Sequence, residues 1–491
     1  MVGGRTKSNR GRKKPPQAPA PPSGRTLRSN SRIVEQVQQV EEVQEAVSIS
    51  TDYDVGADGV AEDAGVLLRE KLPRRLFPVH CYPSGINRLN IYAKAHVIGE
   101  VVAALTCKEE LEQLKETQFG GLLNLHVGRC QNSAKLIHGL LGRQLVTKKK
   151  HELWTVFGGN PIRFSLVEFK RVTGLKCGKF PRSEDDEEGT GQPQTKPGEM
   201  SKMWTDLFNR KDSSVTVDDA IAMLKAPDVA EWKRLPLALI ILVDGVLLCR
   251  DKALYITPAY VDILCDIEYF LDYPWGRESY VMTISRFIPL PHEFLDGDED
   301  PLDEMRARLR QQTSACFGFP LALQLFAFEA IPMLVRQIPQ PEKTDTFLTD
   351  PSACEKTQTI LYLNSIVEVE EDPEVCLYYP NNSLIISFKE YVRNEAKKEL
   401  EWDDEVVDEQ VEMLIKLKRE GHKFSHSDFQ GCEASGNVEE PRAGDDERAE
   451  ATEQGKGPRK QGPAARKRSK KAQRKGVGRK KDNSKARNLR K

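Results

Sequence analysis

The stretch "LPLALIILVDGVLLC", Leu235–Cys249, decides the fold of this chain. It is apolar on nearly every side, and Asp244 is its one charge. A helix with a narrow apolar stripe lies on a surface, whereas one that is apolar all round lies inside. The run is shorter than the ~20 residues that a membrane crossing needs, and Asp244 interrupts it. It therefore predicts the central buried helix of a soluble core. An acid inside such a helix is costly unless it finds a partner. Arg277 or Arg163 can supply the charge, and the expectation is a structural ion pair between Asp244 and Arg277.

Working outward, the flanks read as helices with a small hairpin. "ELWTVFGGNPIRFSLVEFKRVTGL" begins at Glu152. Leu153–Phe157 and Ile162–Phe164 read as strands around a Gly158–Pro161 turn. Ser165 with Glu168 forms a capping box, and Gly174 is a helix stop. Thr216 with Asp219 and Thr106 with Glu109 repeat the box, and Ser133 is a further cap. Thr257 precedes Pro258, a residue suited to the first helical position. "YPWGRESYVMTISRF", Tyr273–Phe287, places Tyr280, Val281, Ile284, Phe287 and Ile288 on one stripe. Glu278 then sits in the first turn, where the helix dipole favours an acid. This segment reads as packing rather than as a catalytic cluster.

Towards the C-terminus, a helix starting at Pro320 is broken by Pro332. "TILYLNSIVEVEED" and "EVCLYYPNNSLIISF" favour strands, giving a minor β segment near 358–388. "WDDEVVDEQVEMLIKLKRE" reads as an amphipathic helix with Trp402, Val406, Val407, Leu414 and Leu417 inward, ended by Gly421. The fold class is mostly α: a helical domain with a small β-hairpin and a minor β segment, flanked by disordered tails. Residues 1–70 hold a basic arm, a short helix carrying Val34, Val37, Val40, Val43 and Val47, and an acidic linker. Residues 71–340 form the main domain, with a disordered acidic insertion at about 181–200. Residues 341–424 are a small extension, and 425–491 a disordered basic tail.

Charge is segregated along the chain. The first 32 residues hold nine Lys or Arg and no acid, and the last 36 hold 17 against Asp482 alone. With a total of −1, residues 33–455 carry −26. Such blocks seek opposite charge. The cluster "RKRSKK" contributes Arg466, Lys467, Arg468, Lys470 and Lys471, as nuclear import signals do. The same tail can neutralise phosphates, without aromatics to stack on bases, so its nucleic-acid binding would be sequence-independent. The basic arm itself holds no apolar stretch, so no signal peptide is expected there. Ten Cys without a CxxC pair suit reduced thiols in an intracellular protein.

Four pieces in order carry a family resemblance. They are "RCQNSAKLIHGLLGRQLVTKKKHELWTVFGGNPIRFSLVEFKRVTGLKCG", "RLPLALIILVDGVLL", "YPWGRESYVMTISRF" and "FGFPLALQLFAFEAIPML". Together they resemble the plant domain of unknown function nineteen-eighty-five, over roughly residues 72–340. The resemblance implies a mostly helical fold and an origin in Mutator-like transposable elements. In many such proteins the domain precedes a Ulp-type cysteine protease domain that cleaves SUMO. Such a protease needs a His, an Asp, a Gln and a nucleophilic Cys. The nearest match to its Asp-Cys-Gly is Lys176, Cys177 and Gly178, inside the other domain. After residue 340 only His422 and His426 remain, so the protease half is expected to be missing.

Other chemistry is thin. His80, Cys81, His96, Cys107, His126, Cys130 and His138 fall within 59 residues but lack zinc-knuckle spacing. Gly158 and Gly159 lack the Lys and Ser/Thr of a phosphate loop. Cys249 and Cys265 are expected on buried faces, where a thiol is inert. No cofactor and no metal is expected. Ile366, Val367 and Val369, followed by acids, match a SUMO-interacting motif that adds a strand to a partner's sheet. The blander reading is an internal strand with an acidic end. The sequence thus points to a non-enzymatic nuclear interaction protein. Its expected partners are unidentified proteins, with SUMO or a Ulp-type protease as candidates, and non-specific nucleic acid, with no membrane. The alternative is an accessory, non-catalytic half of a Ulp-type SUMO protease system.

Overall fold

The apolar run does become the centre of the molecule. In the computed structural model, Glu231–Leu242 is an α-helix that continues directly into a π-helical turn, Val243–Leu247. Every residue from Pro236 to Cys249 is buried. The structure describes residues 69–431 except 86, 106, 182–199, 296, 298, 355–358, 374 and 376–398. All of them belong to one compact unit, and Met1–Val66 lies outside the described residues.

Helices Val217–Leu224, His96–Ala104 and Lys108–Glu116 pack on the central helix, and Trp275–Ile284 packs on its π turn. Gly245 makes this closeness possible. A Cβ there would stand 2.9 Å from Val217 Cγ1 and 3.2 Å from Val97 Cγ1. The Gly245 carbonyl accepts the Lys94 N–H at 3.2 Å, so the loop before His96–Ala104 is tied to the turn. Capping follows the sequence at two helices: Ser165 and Glu168, and Thr216 and Asp219, form complete capping boxes. Gly174 ends its helix at φ 73°. Ser133 stands at an N-cap without a side-chain cap bond, and Thr106 lies outside the described residues.

Leu153–Phe157 and Asn160–Phe164 pair antiparallel, with Leu153 opposite Phe164. Their two-residue turn puts Gly158 at φ 54° and Gly159 at φ 77°, a conformation that suits glycine. All ten strand residues are buried. Side chains alternate across a strand, so the hairpin serves two cores. Leu153, Phe157, Ile162 and Phe164 join the main one. Trp154 and Val156 join Val411, Leu414, Ile415, Phe424 and Phe429 in a second. Residues Val411 to Phe429 therefore cover the hairpin's back. The described residues continue past Ser425 to Gly431, and the Gln430 carbonyl accepts the Arg75 N–H at 2.7 Å.

Four expectations change. A second sheet exists, Arg88–Ile91 parallel to Thr313–Cys316. Leu363–Glu371 is a helix, not a strand, with Ile366, Val369 and Glu370 on its buried side; residues 359–362 before it form no strand, and 376–388 of the expected β segment lie outside the described residues. The last long helix is Glu409–Arg419, capped by Asp408 and lined inward by Val411, Leu414 and Ile415. It starts after Val407, which is 77% exposed. On the helix Trp275–Ile284, Val281 points outward at 39% exposure, and Ser279 and Thr283 take the inner positions.

Candidate functional site

Asp244 is the residue that the sequence singles out, and the π turn aims it at Thr257. Thr257 N-caps the helix Pro258–Ile263. Its backbone N–H and hydroxyl each donate to Asp244, both at 2.8 Å. In an ordinary capping box the acid at the third helical position receives that N–H. Here the third position is Tyr260, which offers no carboxylate, and Asp244 takes over the role from another helix. Burial pushes the Asp244 carboxyl up to about 7, against the pull of the two Thr257 bonds and Arg250. The Cys249 thiol donates to the Asp244 carbonyl at 3.3 Å, and burial pushes that thiol up.

The expected Asp244–Arg277 ion pair is not formed, because Thr257 satisfies Asp244 through its N–H and hydroxyl and backbone carbonyls satisfy Arg277. Arg277 donates to the carbonyls of Cys177 (3.2 Å), Gly178 (2.7 Å) and Glu399 (2.5 Å). Its guanidinium lies 4.2 Å from the centre of the Trp402 ring. It thus fastens residues 399–402 to the Trp275–Ile284 helix. Arg163, the other candidate, pairs with Glu168 at 2.8 Å. Glu278 accepts weakly from the Tyr260 and Tyr273 hydroxyls at 3.4 and 3.3 Å.

A cleft of about 680 Å³ opens beside Asp244, with Asp212, Arg250, Asp251 and Tyr255 among its walls. Its acids are engaged in folding. Asp212 accepts from the Ser214 backbone N–H at 3.0 Å. Asp251 accepts from the N–H groups of Ala253 and Leu254 at 2.8 and 3.0 Å. Such short-range bonds turn a loop. The buried thiols are equally committed: burial pushes Cys177 and Cys316 up to about 12. Cys265 is exposed, against expectation. Among the described residues no group of three His, Cys, Asp or Glu side chains converges to hold a metal ion.

The SUMO-interacting reading of Ile366, Val367 and Val369 does not survive. The segment is helical, with Ile366 at 1% and Val369 at 2% exposure. It offers neither a free strand edge nor free apolar side chains. Arg466, Lys467, Arg468, Lys470 and Lys471 lie outside the described residues. Sequence reasoning missed Arg143 and Glu370, which form a buried fork at 2.8 Å. It also missed Gln324, whose amide makes three bonds inside the core. The signal for Glu370 was its spacing: it follows Ile366 by four, one helical turn.

The architecture defines a predominantly helical domain whose buried polar groups tie its helices together. Residues 141–286 match the family model of a domain of unknown function (DUF1985), which covers the hairpin, the central helix and the Trp275–Ile284 helix. No curated protein and no solved structure matches the chain. No helix among the described residues is long and apolar enough to cross a membrane.

Proposed function

We propose that the chain is a non-enzymatic nuclear interaction protein of a transposon-derived plant family, with a basic tail for import and for non-specific contact with nucleic acid. Charge segregation carries this reading. The last 36 residues hold 17 Lys or Arg and one acid, on a chain whose total is −1. A cluster of this kind neutralises phosphates wherever they occur, and "RKRSKK" within it has the composition of an import signal. The described body supports the reading from the other side. Its buried thiols are pushed up, and Asp244 is occupied by Thr257, so its polar groups serve packing.

The test uses the full chain and a version lacking residues 456–491, with fluorescently labelled duplex DNA of two unrelated sequences. The full chain is expected to bind both alike. Its log affinity should fall with log salt by roughly 0.9 per neutralised phosphate. The shortened chain is expected to lose binding. In cells, replacing Arg466, Lys467, Arg468, Lys470 and Lys471 by Ala is expected to move a fluorescent fusion out of the nucleus. Undiminished DNA affinity in the shortened chain would sink the nucleic-acid part. An unmoved fusion would sink the import part.

A further inference from the structure

Residues Phe424–Gly431 form a strap at the edge of a row of paired backbones. The hairpin stands at one end: the Leu145 N–H donates to the Trp154 carbonyl at 2.8 Å, and the Val156 N–H to the Arg143 carbonyl at 3.0 Å. Residues 74–76 come next. The Leu76 N–H donates to the Gln144 carbonyl at 2.8 Å, and the Arg74 carbonyl accepts the Val146 N–H at 2.7 Å. The strap is last, with Gly431 bridged to Arg75. Its Phe424 and Phe429 share the small core of Trp154 and Val156.

One bond in the middle of the strap depends on a proton. Arg75 is fully buried, and its guanidinium lies 5.6 Å from the centre of the Phe429 ring. Its Nη2 stands 3.1 Å from His426 Nδ1. A guanidinium only donates, so Nδ1 is the acceptor and the imidazole is neutral. A proton on Nδ1 would set two donors against each other. The surrounding charges also resist that proton. Arg75, Arg143 and, when protonated, His80 oppose it, and Glu370 alone favours it. Glu370 is already engaged by Arg143. Asp428, on the strap itself, is taken by the Ser425 N–H and hydroxyl at 2.7 and 3.0 Å. Burial first, and then Arg75, lower His426 below its usual value of 6.5.

We propose that His426 is a proton-operated latch. Neutral, it accepts from Arg75 and holds the strap on the hairpin's back; protonated, it releases the strap and uncovers Trp154 and Val156. Docking is complete above the unfolded value of 6.5 and is lost as pH falls through the lowered folded value. The latch does not depend on the basic tail.

Hydrogen exchange of the full chain from pH 7.5 to 5.0, corrected for the intrinsic rate, tests the latch. Peptides covering 72–76 and 423–431 are expected to lose protection about tenfold by pH 5.0, as the loss of one hydrogen bond to a charged group implies. The central helix, Glu231–Leu242, is expected to keep its protection, which separates strap release from acid unfolding of the whole molecule. His426→Asn places an acceptor near the position of Nδ1 that takes up no proton, and should keep the strap closed over the whole range. His426→Ala removes the acceptor, and should cost both peptides about tenfold in protection already at pH 7.5. His426 is only half-buried, so neither variant disturbs the main core. Wild-type protection that ignores pH, a wild-type loss in His426→Asn, or a closed strap in His426→Ala would overturn the latch.

Discussion

Thr257 donates both its backbone N–H and its hydroxyl to the carboxyl of Asp244, 2.8 Å each, and so joins the start of one helix to the π turn of another. The tie has a definite pH dependence. Burial raises the Asp244 carboxyl from 3.8 to about 7, so the native state keeps a proton that the unfolded chain releases. The contribution is complete below the unfolded value near 4 and shrinks as pH rises towards the folded value near 7. Across that window Asp244 should erode stability by up to about 1.4 kcal/mol per pH unit. Chemical denaturation of the wild type and Asp244→Asn from pH 4 to 8 checks this; the difference between them should vary with that sign. Thr257→Val removes only the hydroxyl, which favours the charged form. Its cost should be about 1–3 kcal/mol at pH 8 and smaller at pH 5. Parallel pH profiles for all three proteins would exclude the tie.

Arg143 and Glu370 give a prediction of a different kind. Both are buried, at 3% and 6% exposure, and Arg143 Nε lies 2.8 Å from each carboxylate oxygen. The pair joins the end of the Ala134–Gly142 helix to Leu363–Glu371. Removing one partner strands a buried charge, so Glu370→Leu should cost about 3–5 kcal/mol. Replacing both, Arg143→Met with Glu370→Leu, should recover most of that loss, because two apolar residues need no compensation. A double-mutant cycle in urea measures the coupling. Additive losses would mean that the two side chains act separately.

What the sequence disclosed was mostly local. Ser165 with Glu168, and Gly174 at the helix end, are signals written within a few residues, and the structure uses them directly. The burial of Leu235–Cys249 was equally plain, since a run apolar all round has one place to go. Partner choice was less legible. A buried acid needs compensation, but nothing local distinguishes Arg277 from the cap of a helix that begins at Pro258. The Arg88–Ile91 strand pairs with Thr313–Cys316 from the far end of the domain, and neither has a marked alternating pattern. At Leu363–Glu371 the β-branched residues suggested a strand. Tertiary packing overrode that preference, and the three-residue step from Ile366 to Val369 was the better guide.

The WGRES turn holds the clearest conflict between propensity and packing. Gly276 lies in the first turn of the Trp275–Ile284 helix, where Ala would ordinarily be preferred by about 1 kcal/mol. A Cβ at this position would stand 2.6 Å from Cys177 Sγ, 2.7 Å from the Lys176 carbonyl oxygen and 2.8 Å from Leu175 Cβ. The Gly276 N–H also donates to that carbonyl at 2.8 Å, so the two backbones cannot separate without losing a bond. Two of the three obstacles are a backbone atom and the root of a side chain, which cannot swing aside. Gly276→Ala should therefore destabilise by about 1–3 kcal/mol despite the better helix former. The neighbouring Trp275, whose indole donates to the Phe270 carbonyl at 2.8 Å, should report the shift in its fluorescence. The companion Cys177→Ala removes the nearest atom but not the carbonyl, so it should rescue Gly276→Ala only in part. A Gly276→Ala protein as stable as the wild type, with unchanged Trp emission, would mean that the 175–177 loop yields freely.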